Sequence, residues 1–220
     1  MPRAAETRSG RLSRERIVHA ALGVIEQDGL EALSMRRLAE ELDVWPMSVY
    51  RYFRDKDELL DAVVNSAAQD VALPEIGTGG WRDQMIDLLH QARAALGRDP
   101  AGLSALFTRA MLTPGALRIS EAGLDILQEA GFEPDEAARA WRALCGYAFG
   151  FTGLADDPSE DEARRRARAA LVALPDEDFP ALTAAADGFA DALASAEELD
   201  YGLERLLDGL ESHLREAAGA

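Results

Sequence analysis

Apolar side chains recur along this chain at the spacing of one helix face. The first stripe is Ile17, Ala21, Val24 and Ile25, which predicts a helix from about Ser13 to Asp28. Ser13 suits the N-cap, Leu12 and Ile17 stand at the spacing of a hydrophobic staple, and Gly29 ends the helix. A second helix, Ser34 to Leu42, opens with the same staple spacing between Leu33 and Leu38. Asp43 then takes a sharp turn, a place where Asp tolerates the left-handed conformation better than most residues. Pro46 starts a third helix, where its missing N–H costs nothing, and Val49 and Phe53 face inward four residues apart. A fourth begins at Asp55 and Glu58, which have capping-box spacing.

Past the break ALPEIGTGG the stripes lengthen. Trp81, Met85, Leu88, Leu89, Ala92 and Leu96 form one. Proline opens three further helices, at Asp99-Pro100, Thr113-Pro114 and Glu133-Pro134. The last is expected to run to about Leu154, with an apolar face wide enough to be buried on more than one side (Trp141, Leu144, Cys145, Ala148, Phe149, Phe151). Residues 155–178 read as an acidic loop followed by a helix with acids first and arginines after, as the helix dipole favours. A final helix, about Glu197 to Glu216, carries Leu199, Leu203, Leu206, Leu207, Leu210 and Leu214 on one side. No segment alternates with the period of a strand, so the fold class is all-α.

Composition refines this picture. Hydrophobic content of 48% with 29% charge is ordinary for a globular protein. The single cysteine, Cys145, excludes an intrachain disulfide and sits on an apolar stripe, where a buried inert thiol is expected. The N-terminus lacks the apolar core of a signal peptide and no apolar run is long enough to span a bilayer, so the expected location is the cytoplasm, with no membrane partner. The net charge of −17 is unevenly spread. Residues 1–56 hold ten basic and nine acidic side chains, leaving −18 on the other 164 residues. Only the first module is therefore able to approach phosphate.

Two short helices around a four-residue turn suit the DNA major groove, where a helix presents its first turns to base edges. On the third helix Trp45, Met47, Ser48, Arg51 and Tyr52 point outward. Arg51 can pair bidentately with guanine. Tyr50 offers a hydroxyl to phosphate, and Lys56, the only lysine in the chain, lies beside free N–H groups at the start of the fourth helix. By themselves these residues also suit a small helical bundle with a solvated basic face, and Tyr50 and Tyr52 also suit half-buried packing.

Residues 13–65 resemble the DNA-binding domain of the tetracycline-repressor family of bacterial transcription regulators. RIVHAALGVIEQDGLEALSMRRLAEEL, the tyrosine-x-x-phenylalanine of VYRYF and the following RDKDELL carry the likeness. The remainder is similar in plan to that family's sensing domain, notably in ALVALPDEDFPAL and LDYGLERLLDGLESHL. The resemblance implies a flexible basic arm (1–12), a helix-turn-helix domain (13–66) continuing in a linking helix to about 72, and a ligand-binding and dimerisation domain (80–217). It implies that Met35 and Arg36 approach double-stranded operator DNA from the second helix. Trp45, Pro46, Met47, Ser48, Arg51 and Tyr52 would then line the groove, with Tyr50 and Lys56 on phosphate. Asp43 stands where the family usually has glycine, and Trp45 where a capping serine is common.

The resemblance further implies a homodimer through helices at about 135–154 and 197–216. Gly146, Gly150 and the Leu199, Leu203, Leu206, Leu207, Leu210 and Leu214 stripe are the expected interface. A small-molecule pocket is expected within the bundle, walled by Met85, Leu89, Phe107, Met111, Ile126, Leu127, Trp141, Cys145 and Phe149, with His90, Arg109 or Thr152 as polar orienters. His19, His90 and His213 are isolated, so neither a metal nor another cofactor is expected, and no catalytic constellation points to an enzyme. The function expected is that of a repressor released from a palindromic operator by a small molecule. An activator, or a regulator controlled by a protein partner, is the alternative.

Overall fold

The computed structural model describes residues 11–74, 79–95, 111–151, 160–195 and 197–219. These form eleven α-helices and one 3-10 turn, with no strand among them. The head comprises α1 (Arg14–Asp28), α2 (Met35–Glu41), α3 (Pro46–Tyr50) and α4 (Lys56–Gln69). Behind it come α5 (Trp81–Ala95), α6 (Pro114–Glu129) and α7 (Pro134–Gly150). Next are α8 (Glu160–Val172), α9 (Pro180–Ala184), α10 (Ala186–Ala194) and α11 (Glu198–Gly219).

Helix ends in the head follow from side chains close in sequence. The hydroxyls of Ser13 and Ser34 accept from the N–H groups of Arg16 and Arg37, at 3.2 and 3.0 Å. Asp55 does the same for Glu58 at 2.8 Å. Each bond satisfies one of the donors that a helix start leaves unpaired. Helix α2 ends in a Schellman motif: Val44 N–H reaches the Ala39 carbonyl (3.0 Å) and Asp43 N–H that of Glu40 (3.2 Å). The motif needs a left-handed residue after the cap, and Asp43 supplies it at φ 53°. The same motif closes α6 with Gly131 at φ 105° and buries Phe132 behind it.

A continuous apolar core runs from Ile17 in α1 to Leu207 in α11, passing through α4, α5, α6 and α7. Helix α4 joins head to bundle, since it packs on α1 at one end and on α6 along its length. Helices α8 and α10 pack chiefly on each other around Ala163, Ala186 and Ala190. Arg168–Asp187 (2.7 Å) and Arg164–Asp191 (3.0 Å) pair across them.

Two boundaries and two short helices differ from expectation. Helix α7 stops at Gly150, and α11 runs on to Gly219. Helices α9 and α10 were not foreseen; their segment is rich in alanine and short of the large apolar residues that make a stripe. The start expected at Asp99-Pro100 lies outside the described residues, as do Phe107, Arg109 and Thr152.

Candidate functional site

The head presents α3 on a clasp. Arg14, the first residue of α1, donates to the Tyr52 carbonyl at 2.7 Å and to Glu58 Oε1 at 3.1 and 3.2 Å. Its guanidinium also lies 4.1 Å from the centre of the Phe53 ring, a cation–π distance. Glu58 accepts from the Arg54 backbone N–H at 2.9 Å, reaching one residue further back than a standard capping box. That N–H first, and Arg14 second, hold the Glu58 carboxyl below the usual carboxylate range. Together they fix the end of α3 against the starts of α1 and α4. The clasp was missed in the sequence because Arg14 and Glu58 are 44 residues apart.

With Val49 and Phe53 fully buried, α3 turns its other large side chains outward. Trp45 is 83% exposed, Met47 71% and Tyr50 45%. Arg51 is exposed, and Pro46 and Ser48 are half-buried beside it. Arg36 is exposed on α2 and pairs with Glu40 at 3.0 Å. One short helix therefore shows solvent an aromatic ring, a thioether, a phenol and a guanidinium, a set able to press on base methyls and pair with base edges.

Two expected contacts need correction, and a third is only restricted. Met35 is buried in the core, 6% exposed, because the Ser34 cap turns the first residue of α2 inward. It is not available to a groove. The Tyr52 hydroxyl donates to the Leu12 carbonyl at 2.6 Å, so this half-buried side chain secures the clasp and does not line a surface. Lys56 is half-buried, with Nζ 3.5 Å from the Leu30 carbonyl. Its ammonium retains two donors for phosphate.

In the bundle, Met85, Leu89, Ile126, Leu127, Trp141, Cys145 and Phe149 are all buried in the apolar core. They constitute the core itself. Met111 is half-buried just before α6. Burial pushes the Cys145 thiol up to about 12, which keeps it protonated and unreactive. The Trp141 ring lies against α6 at Gly123, where any Cβ would collide with it. Its Nε1–H is buried without a hydrogen-bond partner among the described residues. A lone buried donor of this kind costs about 1–3 kcal/mol. His90 departs from the expected pocket role: it is half-exposed and hydrogen-bonded to Asp200 of α11 at 2.5 Å, a bridge between helices at the surface.

A family model described as the tetracyclin repressor-like C-terminal domain matches residues 73–214. A second, for bacterial regulatory proteins of the tetR family, matches residues 17–63. The chain belongs to the tetracycline-repressor family. It is 32% identical to the transcriptional repressor DrrR1 of Streptomyces coeruleorubidus, over 91% of this chain and 77% of that one. It is 30% identical to the class A tetracycline repressor of Escherichia coli, covering 91% of each. The structure of ActR from Streptomyces coelicolor, solved without ligand, superposes with a TM-score of 0.79 at 29% identity, covering 94% of this chain and 99% of ActR. ActR has also been solved in complex with actinorhodin, a structure that superposes at 0.78.

In this family member the last helix is only partly free. Leu199, Leu203 and Leu207 are buried inside the protomer, which corrects the view of the whole leucine stripe as an open interface. Gly202 admits Tyr147 of α7 so closely that a Cβ would meet its hydroxyl, which donates to the Glu198 carbonyl at 2.9 Å. Leu206 is 36% exposed, Leu210 and Leu214 are half-buried, and Gly146 and Gly150 are exposed on α7. Arg82 of α5 meets Glu204, Asp208 (2.8 Å) and Glu211 (2.9 Å) on α11. Burial disfavours its charge, but the three carboxylates outweigh that and hold it protonated more firmly still. The acids stand in a row beside the leucines. A groove of about 520 Å³ opens between Trp81, Glu133, Glu136 and the end of α11, and none of the expected pocket walls lines it. No described helix is long and apolar enough to cross a membrane.

Proposed function

We propose that this regulator is a homodimeric repressor that holds a palindromic operator and lets go when a small molecule enters its C-terminal bundle. The observation that carries the DNA half is α3: five residues long, clamped by Arg14 and Glu58, with Trp45, Met47, Tyr50 and Arg51 facing outward. Side chains that large are seldom left in water on so short an element unless something covers them. Arg51 reads guanine, Trp45 and Met47 press on thymine methyls or sugar, and Tyr50, Arg36 and Lys56 take phosphate.

The sensing half is supported by Trp141. A ligand carbonyl or phenolate would give its unpaired Nε1–H a partner, in a wall otherwise apolar. DrrR1 is a repressor by name, and ActR binds actinorhodin. Dimerisation would use the free edge of α11 (Leu206, Leu210, Leu214) with Gly146 and Gly150 of α7, placing two copies of α3 about one DNA turn apart. Ligand favours a dimer whose heads no longer match that spacing.

Selection of random duplexes with the full chain tests the reading. An inverted repeat bound by two chains is expected, and a monopartite or unenriched pool would refute it. Thermal-shift screening then supplies ligands. Any compound that stabilises the protein must weaken operator binding by the factor by which operator weakens the compound. A stabilising compound with no effect on operator affinity would overturn ligand release.

A further inference from the structure

Helices α4 and α6 cap each other. The terminal Nη2 of Arg118, in the second turn of α6, donates to the carbonyls of Ala68, Gln69 and Val71 at 3.0, 3.0 and 2.7 Å. The first two are acceptors that the end of α4 leaves unpaired, and the third lies in the chain just beyond it. The last turn of α4 carries no basic residue of its own, so Arg118 also supplies the positive charge that the helix end favours. In return, Asn65 of α4 accepts from the Gly115 N–H at 2.9 Å, filling a vacant donor at the start of α6. The backbones are close enough that a Cβ on Gly115 would lie 2.7 Å from the Asn65 carbonyl and 2.9 Å from the Ala68 methyl. Each helix thus completes the other's terminus, and no slack is left between them.

The rest of α4 belongs to the head. Its first turn carries Glu58, which holds Arg14, and its inner face packs on α1. Any change in α6 must therefore move α4 as a body or break this double cap. We infer that the Arg118–Asn65 joint is the positioning element through which the C-terminal bundle sets the angle of the DNA-binding head. Arg118 is a positioning residue: the contacts described for it are to the end of α4 and the chain just beyond, so it would act through α4. The inference rests on the proposed DNA binding and assigns the coupling to two named side chains.

Coupling is reciprocal, so operator binding must be felt in α6 without any effector. Hydrogen exchange of the full chain is measured free and saturated with its selected duplex. In the wild type, duplex slows exchange at residues 46–53 and changes it at least threefold at residues 116–122. Arg118→Gln is expected to keep the first response and lose the second. Arg118→Lys, which retains charge and donors, keeps both. Asn65→Ala removes the other half of the joint, shows the same loss as Arg118→Gln, and serves if that variant does not fold. An unchanged α6 response in Arg118→Gln or Asn65→Ala, or none in the wild type, overturns the inference while leaving DNA binding intact. Absence of protection at 46–53 in the wild type overturns the DNA reading, and this inference with it.

Discussion

Helices α3 and α7 bear similar large side chains and use them in opposite ways. At α3, Met47 and the N-cap residue Trp45 project into solvent, while Val49 is the one buried residue of the helix. In α7, Trp141, Leu144, Cys145 and Phe149 are all withdrawn into the core. The surface proposed to face DNA is what folding leaves over, held by caps and a clasp that do not involve the exposed side chains. The proposed sensing wall is made of the residues that hold the bundle together. Changes in α3 are therefore free to alter recognition without altering stability, whereas changes in α7 must alter both. Among the described residues of that core, the buried Trp141 N–H has no hydrogen-bond partner, a cost in stability that packing does not repay.

The sharpest break of this contrast would come from truncating the two tryptophans. Trp141→Ala is expected to cost about 3–5 kcal/mol in urea unfolding, and Trp45→Ala no more than about 0.5 kcal/mol. Equal losses would dissolve the distinction. Within the head, Met35→Ala should cost about 2–5 kcal/mol as a buried methionine. Arg36→Ala, its exposed neighbour, should change stability by less than about 0.5 kcal/mol and lower operator affinity instead. Fluorescence-monitored unfolding beside duplex titration separates the two.

Smaller effects sharpen the account of the scaffold. Asp43→Gly relieves left-handed strain of about 1–2 kcal/mol and loses about 0.5–1 kcal/mol to chain entropy, so a net gain of about 0.5 kcal/mol is expected in the unfolding midpoint. The Glu58 carboxyl is held low in the folded head, so its contribution is present above the ordinary carboxylate range and fades as pH falls through its lowered value. Glu58→Gln should flatten the acid limb of the stability profile, and an unaltered limb would argue against the clasp.

The head was legible in the sequence because its signals are local. Ser13, Ser34 and Asp55 each cap a group three residues away, and the turn at Asp43 is closed by bonds within six residues. Met35 escaped that logic: resemblance assigned it to DNA, whereas its side chain is packed into the core. In the bundle, periodicity told which side of a helix is buried but not against what. Leu203 and Leu206 belong to one stripe in sequence, yet Leu203 is fully buried in the protomer while Leu206 remains over a third exposed. Arg118 and Arg82 were invisible, since their partners lie about 50 and more than 120 residues away and exist only after folding.

The central claim is that the exposed face of α3 serves DNA and not the fold. It is tested most directly by the double variant Trp45→Ala/Arg51→Ala, titrated with the selected duplex and unfolded in urea in parallel. The guanine contact alone carries about 1–3 kcal/mol of discrimination, so operator affinity should fall at least about tenfold. The unfolding midpoint should stay where it is. Unchanged affinity, or a loss of binding matched by a loss of stability, would contradict the account.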